Sequence, residues 1–124
     1  MFRKYLLIIT ILLACVVLFV GCASRGSDSA DNIISGAEAR EMYESYDTVI
    51  LLDVRSQAEF NVNHIEGSIL IPHTELEGRL SELPGRDTII IVFCRAGARS
   101  ATAAEILIEN GFTNVYDMQR IDNW

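Results

Sequence analysis

Lysine is almost missing from this 124-residue chain: Lys4 is the one example, and beyond residue 21 the cations are 8 arginines set against 17 carboxylates. The formal charge of that stretch, -9, repels phosphate backbones and argues against nucleic-acid binding. Cysteine is scarce as well. Cys15 and Cys22 fall near the start, which leaves Cys94 as the single thiol downstream and excludes an intrachain disulfide there. The 2 histidines, His64 and His73, stand at no ligand-type spacing from Cys94, so a metal site has no support and no cofactor is implied. A chain of this length has room for one domain.

The apolar residues that are present are unevenly spread, with 17 of them among the first 21 positions. Arg3 and Lys4 precede a run from Leu6 to Val20 whose only polar member is Thr10, and the run ends in Gly21-Cys22-Ala23-Ser24. A basic n-region, an apolar h-region and a small-residue cleavage zone read as an export signal over residues 1–21. The run is shorter than the ~20 residues that span a hydrocarbon core, which ranks an uncleaved anchor second. Phe19-Val20-Gly21-Cys22 resembles a bacterial lipoprotein signal, although Phe19 departs from the Leu common three before the cysteine. The resemblance implies that Cys22 is acylated and becomes the new N-terminus, holding the protein on the extracytoplasmic face of a bacterial membrane. Residues 22–32, rich in Ser, Gly, Asp and Ala, have the composition of a flexible tether. The folded domain is then expected over residues 33–124.

Within that domain, Ser35-Gly36-Ala37-Glu38 has the spacing of a capping box and predicts a helix running through Met42-Tyr43. Val49-Ile50-Leu51-Leu52 and Ile89-Ile90-Ile91-Val92-Phe93 are continuous runs rich in β-branched residues, which suits strands covered on both faces. Ser68-Ile69-Leu70-Ile71, stopped by Pro72, reads as another strand. Leu76, Leu80 and Leu83 recur at helical spacing before Pro84-Gly85, and Ala103, Ala104, Leu107 and Ile108 form a helical stripe ending at Asn110-Gly111. Strands and helices alternate, so the expected fold class is α/β, with a small, mostly parallel sheet flanked by helices on both faces.

Cys94 ends a strand, and Arg95-Ala96-Gly97-Ala98-Arg99 follows before a helix that opens near Ser100. Open α/β sheets place their sites at such carboxyl ends. A tight turn into a helix aims successive amide N–H groups at the sulfur, and these, the helix N-terminus and two guanidinium groups favour thiolate, the nucleophilic form. The competing reading is a small buried hydrophobe, weakened because Arg and Gly follow it rather than packing residues.

Several separate segments, in order, resemble the single-domain rhodanese sulfurtransferases. Asp53-Val54-Arg55 followed by Glu59-Phe60 resembles that family's D-V-R, E-(F/Y) segment, and His64-Ile65-Glu66-Gly67-Ser68-Ile69 resembles its G-H-I-P-G-A-I stretch. Cys94-Arg95-Ala96-Gly97-Ala98-Arg99-Ser100 resembles its C-R-x-G-x-R-S active loop. Asn63, Glu66 and Ser68 depart from the pattern. Gly111 to Tyr116 fits its last strand, but Met118-Gln119-Arg120-Ile121 lacks its Gly-Gly pair, which alters the wall beside the active loop. The resemblance implies that a Cys94 thiolate takes the outer sulfur of a donor such as thiosulfate, holds it as a persulfide and passes it to a thiophilic acceptor, with His64 a loop scaffold. Arg95 and Arg99 offer planar donors for the donor's anionic end, and Arg99 has a structural alternative in Asp53 or Glu59. Asp53 and Arg55 read as a supporting ion pair pinning neighbouring loops.

Two other functions compete. A phosphatase or arsenate reductase of the related cysteine-loop type uses C-x5-R, whereas four residues separate Cys94 from Arg99, so the ring suits one sulfur atom better than a tetrahedral oxyanion. A membrane-tethered persulfide carrier without thiosulfate turnover is the other. Tyr116, Phe112 and Trp124 are expected as packing.

Overall fold

The computed structural model describes residues 32–124. The proposed signal segment, Cys22 and the tether up to residue 31 lie outside them. Helix α1 spans Gly36–Ser45, strand β1 Val49–Asp53, helix α2 Gln57–Val62, strand β2 Ile69–Leu70, strand β3 Ile89–Cys94, helix α3 Ala98–Glu109 and strand β4 Val115–Arg120. Two 3₁₀ segments, Leu76–Glu82 and Ile121–Asn123, complete the order.

All strand pairings are parallel, in the order β2-β1-β3-β4. The chain moves outward from β1 to β2 and then crosses back to lay β3 on the other side of β1. The carboxyl ends of β1 and β3 therefore flank the point where the strand order reverses, the usual position of a crevice in an open α/β sheet. The continuous apolar runs have the two-sided burial that a parallel sheet with helices on both faces requires. Side chains alternate along β3: Ile90, Val92 and Cys94 pack with Ala103, Ala104 and Leu107 of α3 and with Leu76, Leu80 and Leu83. Ile91 and Phe93 face the other way, onto Ala39 of α1 with Leu51, Met118 and Ile121. Each such leucine or isoleucine contributes about 2 kcal/mol relative to exposure.

The Ser35 box forms as expected, Ser35 Oγ accepting the Glu38 amide at 3.3 Å while Glu38 accepts the Ser35 amide at 2.7 Å. Gly36 lies so close to the Asn123 backbone that a Cβ there would collide with it, which fixes α1 against the C-terminal turn. Four local expectations are corrected. The strand drawn over Ser68 to Ile71 contracts to two residues, because the Ser68 amide and hydroxyl both donate to the Ile65 carbonyl in a turn and Pro72 ends the ladder. The Leu76–Leu83 stripe is a 3₁₀ segment: it has no side-chain cap, lies between two prolines and closes with a Leu83-to-Leu80 amide bond. Its three leucines reach the core all the same. The third helix opens at Ala98, not Ser100. Finally, the last strand covers Val115–Arg120, since Gly111, at φ 87°, ends α3 and Phe112 and Thr113 belong to the turn. At the other end, the Asn32 carbonyl accepts the Asp117 amide at 2.8 Å, so the folded body includes Asn32.

Candidate active site

β3 ends on Cys94, a residue only 1 % exposed, at the carboxyl end of the sheet. The chain then turns through Arg95-Ala96-Gly97 and enters α3 with Gly97 as N-cap at φ 103°, a backbone angle that L side chains rarely adopt. A glycine cap has no side chain to satisfy the first helix amides. The sulfur takes that place: the Gly97 amide donates to Cys94 Sγ at 3.0 Å. Burial pushes the Cys94 thiol up, but the amides of Gly97, Ser100 and Ala96 together with the Ser100 hydroxyl outweigh it and hold the thiol below its ordinary value.

Ser100 is fully buried, and its hydroxyl lies 2.9 Å from the Gly97 carbonyl and 3.3 Å from that of Gln119, tying the loop to β4. The Cys94 thiol donates to the same Gln119 carbonyl across 3.5 Å. Ala96 stands on the exposed loop and Ala98 opens α3.

Arg99 is committed. Its guanidinium makes a two-pronged pair with Glu59, at 2.7 and 2.8 Å, which raises the Arg99 pKa and, through those same bonds first, drives the Glu59 carboxyl far below the carboxylate range. Of the two partners weighed for Arg99, the structure selects Glu59. Arg95 makes no ion pair among the described residues and is exposed. It lies on the wall of a cavity of about 370 Å³ together with Arg55, Glu59, Asn63, Ile121 and Asp122.

Asp53 and Arg55 form the expected buried pair, 0 % and 3 % exposed, with Arg55 Nη2 at 2.7 Å from Asp53 Oδ2. Arg55 also donates to the Asn63 carbonyl at 2.7 Å, fastening the loop after α2 to the end of β1. His64 Nδ1 lies 3.1 Å from the Phe60 carbonyl, and its ring stacks on Phe60 at 4.1 Å, so it braces its own loop. His73 contributes its backbone amide to the Val54 carbonyl. Phe112 is buried under Arg86, and Trp124 packs edge-on against Tyr43.

Three further residues belong to the site. Ser56 forms a second capping box with Glu59, whose Ser-x-x-Glu spacing repeats that of Ser35 and was readable in the sequence. Asp117 and Gln119 carried no comparable signal beyond the missing Gly-Gly pair. Their placement follows from a register shift in β4, where Val92 pairs with Asp117 but Phe93 with Gln119.

A strand-end cysteine whose sulfur accepts a loop amide at the start of the next helix defines a cysteine-loop protein. The chain belongs to the rhodanese-like family: the model of the rhodanese-like domain matches residues 35–120. It is 35% identical over 96 residues to a putative sulfur carrier protein of Bacillus subtilis, covering 76% of this chain and 51% of that protein. It is 37% identical over 65 residues to a thiosulfate sulfurtransferase of Escherichia coli, covering 52% of this chain and 62% of that one. The chain thus spans between about half and two thirds of these relatives. Among solved structures, an E. coli rhodanese with anions superposes with TM-score 0.59 at 31% identity, over 61% of this chain and 91% of that one. A human single-domain sulfurtransferase gives 0.62 at 26% identity, over 69% and 87%.

Proposed function

We propose that this protein is a sulfurtransferase that moves a sulfane sulfur from thiosulfate or a similar donor to a thiophilic acceptor through a persulfide on Cys94. The observation that carries this reading is the Gly97 amide 3.0 Å from a sulfur whose ring of loop amides favours the ionised form. A lowered thiol pKa enlarges the thiolate fraction, and a thiolate attacks without a general base. As the Cys94–sulfur bond forms, the S–S bond of thiosulfate breaks and sulfite leaves with the electron pair. The negative charge passes to the outer sulfur, where the same amides can receive it. Arg95 on the cavity wall offers planar donors to the anionic end of the donor. Arg99 instead keeps α3 fixed to α2 through Glu59.

That commitment favours one second reading, a carrier that holds the persulfide without turning over thiosulfate, because it leaves Arg95 as the single loop cation outside an ion pair among the described residues. The four-residue spacing from Cys94 to Arg99 ranks phosphatase or arsenate reductase chemistry last. The basic-apolar-small order of residues 3–24 further supports export and acylation at Cys22, which would place this chemistry at the outer face of a bacterial membrane.

Intact mass of the purified protein tests all of this. Wild type should begin at an acylated Cys22, gain one sulfur with thiosulfate and lose it to cyanide as thiocyanate. Cys94→Ala should gain none. Thiocyanate release that survives in Cys94→Ala overturns the mechanism; a stable gain that cyanide removes only once, without turnover, selects the carrier. A mature chain that keeps residues 1–21 overturns the lipid anchor. Aryl phosphate and arsenate should remain unconverted.

A further inference from the structure

β4 holds two residues that the sulfur chemistry above does not use. Asp117 is 4 % exposed, and its carboxylate accepts the Gln119 amide at 2.7 Å. Among the described residues Gln119 is the one non-glycine with positive φ, 68°, where an L side chain crowds its own backbone. In this conformation the Gln119 carbonyl lies 3.5 Å from Cys94 Sγ and 3.3 Å from Ser100 Oγ.

The inner sulfur therefore sits between a donor, the Gly97 amide, and an acceptor, the Gln119 carbonyl. A neutral thiol satisfies both. A thiolate satisfies only the amide and is repelled by the carbonyl dipole. A persulfide carries its charge on the outer sulfur and leaves the inner one neutral, which relieves that repulsion.

We propose that Asp117 and Gln119 are positioning residues: the Asp117 carboxylate holds the Gln119 carbonyl against Cys94, disfavouring the empty thiolate and tipping the cysteine toward its loaded, persulfide form. This rests on the sulfur-transfer reading above. The remaining charges around the sulfur are Arg99 of α3 with its partner Glu59 of α2, Asp53 at the end of β1 with its partner Arg55, Arg95 in the loop, and Arg120 of β4, paired in the ladder with Cys94, with its partner Asp122. Every variant at position 117 retains all of these groups and Ser100, which Asp117 also meets, so the comparison between variants varies only that side chain.

The test uses the full-length chain in detergent, with two readouts. One is the pH dependence of Cys94 alkylation by iodoacetamide, followed on the Cys94 peptide; the other is the loaded fraction by intact mass in fixed thiosulfate-sulfite mixtures. Asp117→Val removes the acceptor but keeps a strand-favouring apolar residue at a buried position, and Asp117→Ala serves if the valine variant does not melt cooperatively. Asp117→Asn removes the charge but keeps an oxygen that accepts the Gln119 amide. Asp117→Val is expected to lower the alkylation inflection by about half to one pH unit and the loading quotient about three- to tenfold, since one unit corresponds to tenfold. Asp117→Asn should match wild type. Equal behaviour of wild type and Asp117→Val overturns the proposal, and so does an equal shift in Asp117→Asn and Asp117→Val, which would assign the effect to charge. A wild-type chain that gains no sulfur sinks the functional reading and the persulfide half of the proposal. The alkylation comparison then still decides whether the carbonyl acts on the sulfur.

Discussion

The loops that leave β1 and β3 end at helix N-termini on the same edge of the sheet, yet they treat the helix amides in opposite ways. After β1, Ser56 caps α2 with its hydroxyl, Glu59 reaches back to the Ser56 amide, and Asp53 closes on Arg55. The side chains of Asp53, Arg55, Ser56 and Glu59 all find partners within the chain. After β3, Gly97 caps α3 without a side chain, and the orphan amide points at Cys94 Sγ. The difference shows how a fold separates support from chemistry: a helix end that satisfies itself is scaffold, and one left unsatisfied can hold an anion. Glu59 joins the two, because one carboxylate both completes the α2 cap and clamps Arg99 in the first turn of α3.

Breaking the closed loop should have the largest effect. Asp53→Ala strands the Arg55 guanidinium in a buried site, and losing one partner of such a pair costs about 3–5 kcal/mol. Chemical denaturation should show that loss in stability while Cys94 chemistry persists in the fraction still folded. Opening the other loop comes next. Gly97→Ala meets Gln119 Cβ only at an ordinary 3.6 Å, so its cost comes from forcing φ 103° on an L residue, about 1–3 kcal/mol. Relaxing that angle swings the amide off the sulfur, and the Cys94 alkylation inflection should rise toward the ordinary thiol value.

The smallest effect sharpens the junction. Glu59 has its folded pKa depressed below the ordinary 4.5, so its contribution is fully present above that value and is lost as pH falls toward the depressed folded pKa. Glu59→Gln should cost about 1 kcal/mol at neutral pH, the pair being part-exposed, and should flatten the acid limb of the stability curve. Equal acid sensitivity in wild type and variant would separate Glu59 from the acid transition.

Much of the site was legible. The lone thiol at the end of an apolar run, followed by Arg and Gly, locates the proposed nucleophile because a buried β-branched run suits a strand and a glycine there suits a turn. Asp53 and Arg55 were readable as a pair for the same local reason, being two residues apart at a strand end. Arg99 was not settled: its choice of Glu59, 40 residues away, depends on α2 and α3 lying side by side. Gln119 was visible only as a departure from a glycine pattern. Its left-handed backbone follows from the shifted register of β4 against β3, and no local propensity favours that for glutamine.

Local sequence suffices for the alternation of strands and helices, the two-sided burial of the central strands, the Ser35 cap and the place of Cys94, because each rests on side-chain periodicity or on contacts within a few residues. Packing between distant segments sets the strand order β2-β1-β3-β4, the Arg99–Glu59 clamp and the Gln119 carbonyl at the sulfur. Those features join segments far apart in the chain. Their energies depend on which elements pack together, so no window of sequence contains them.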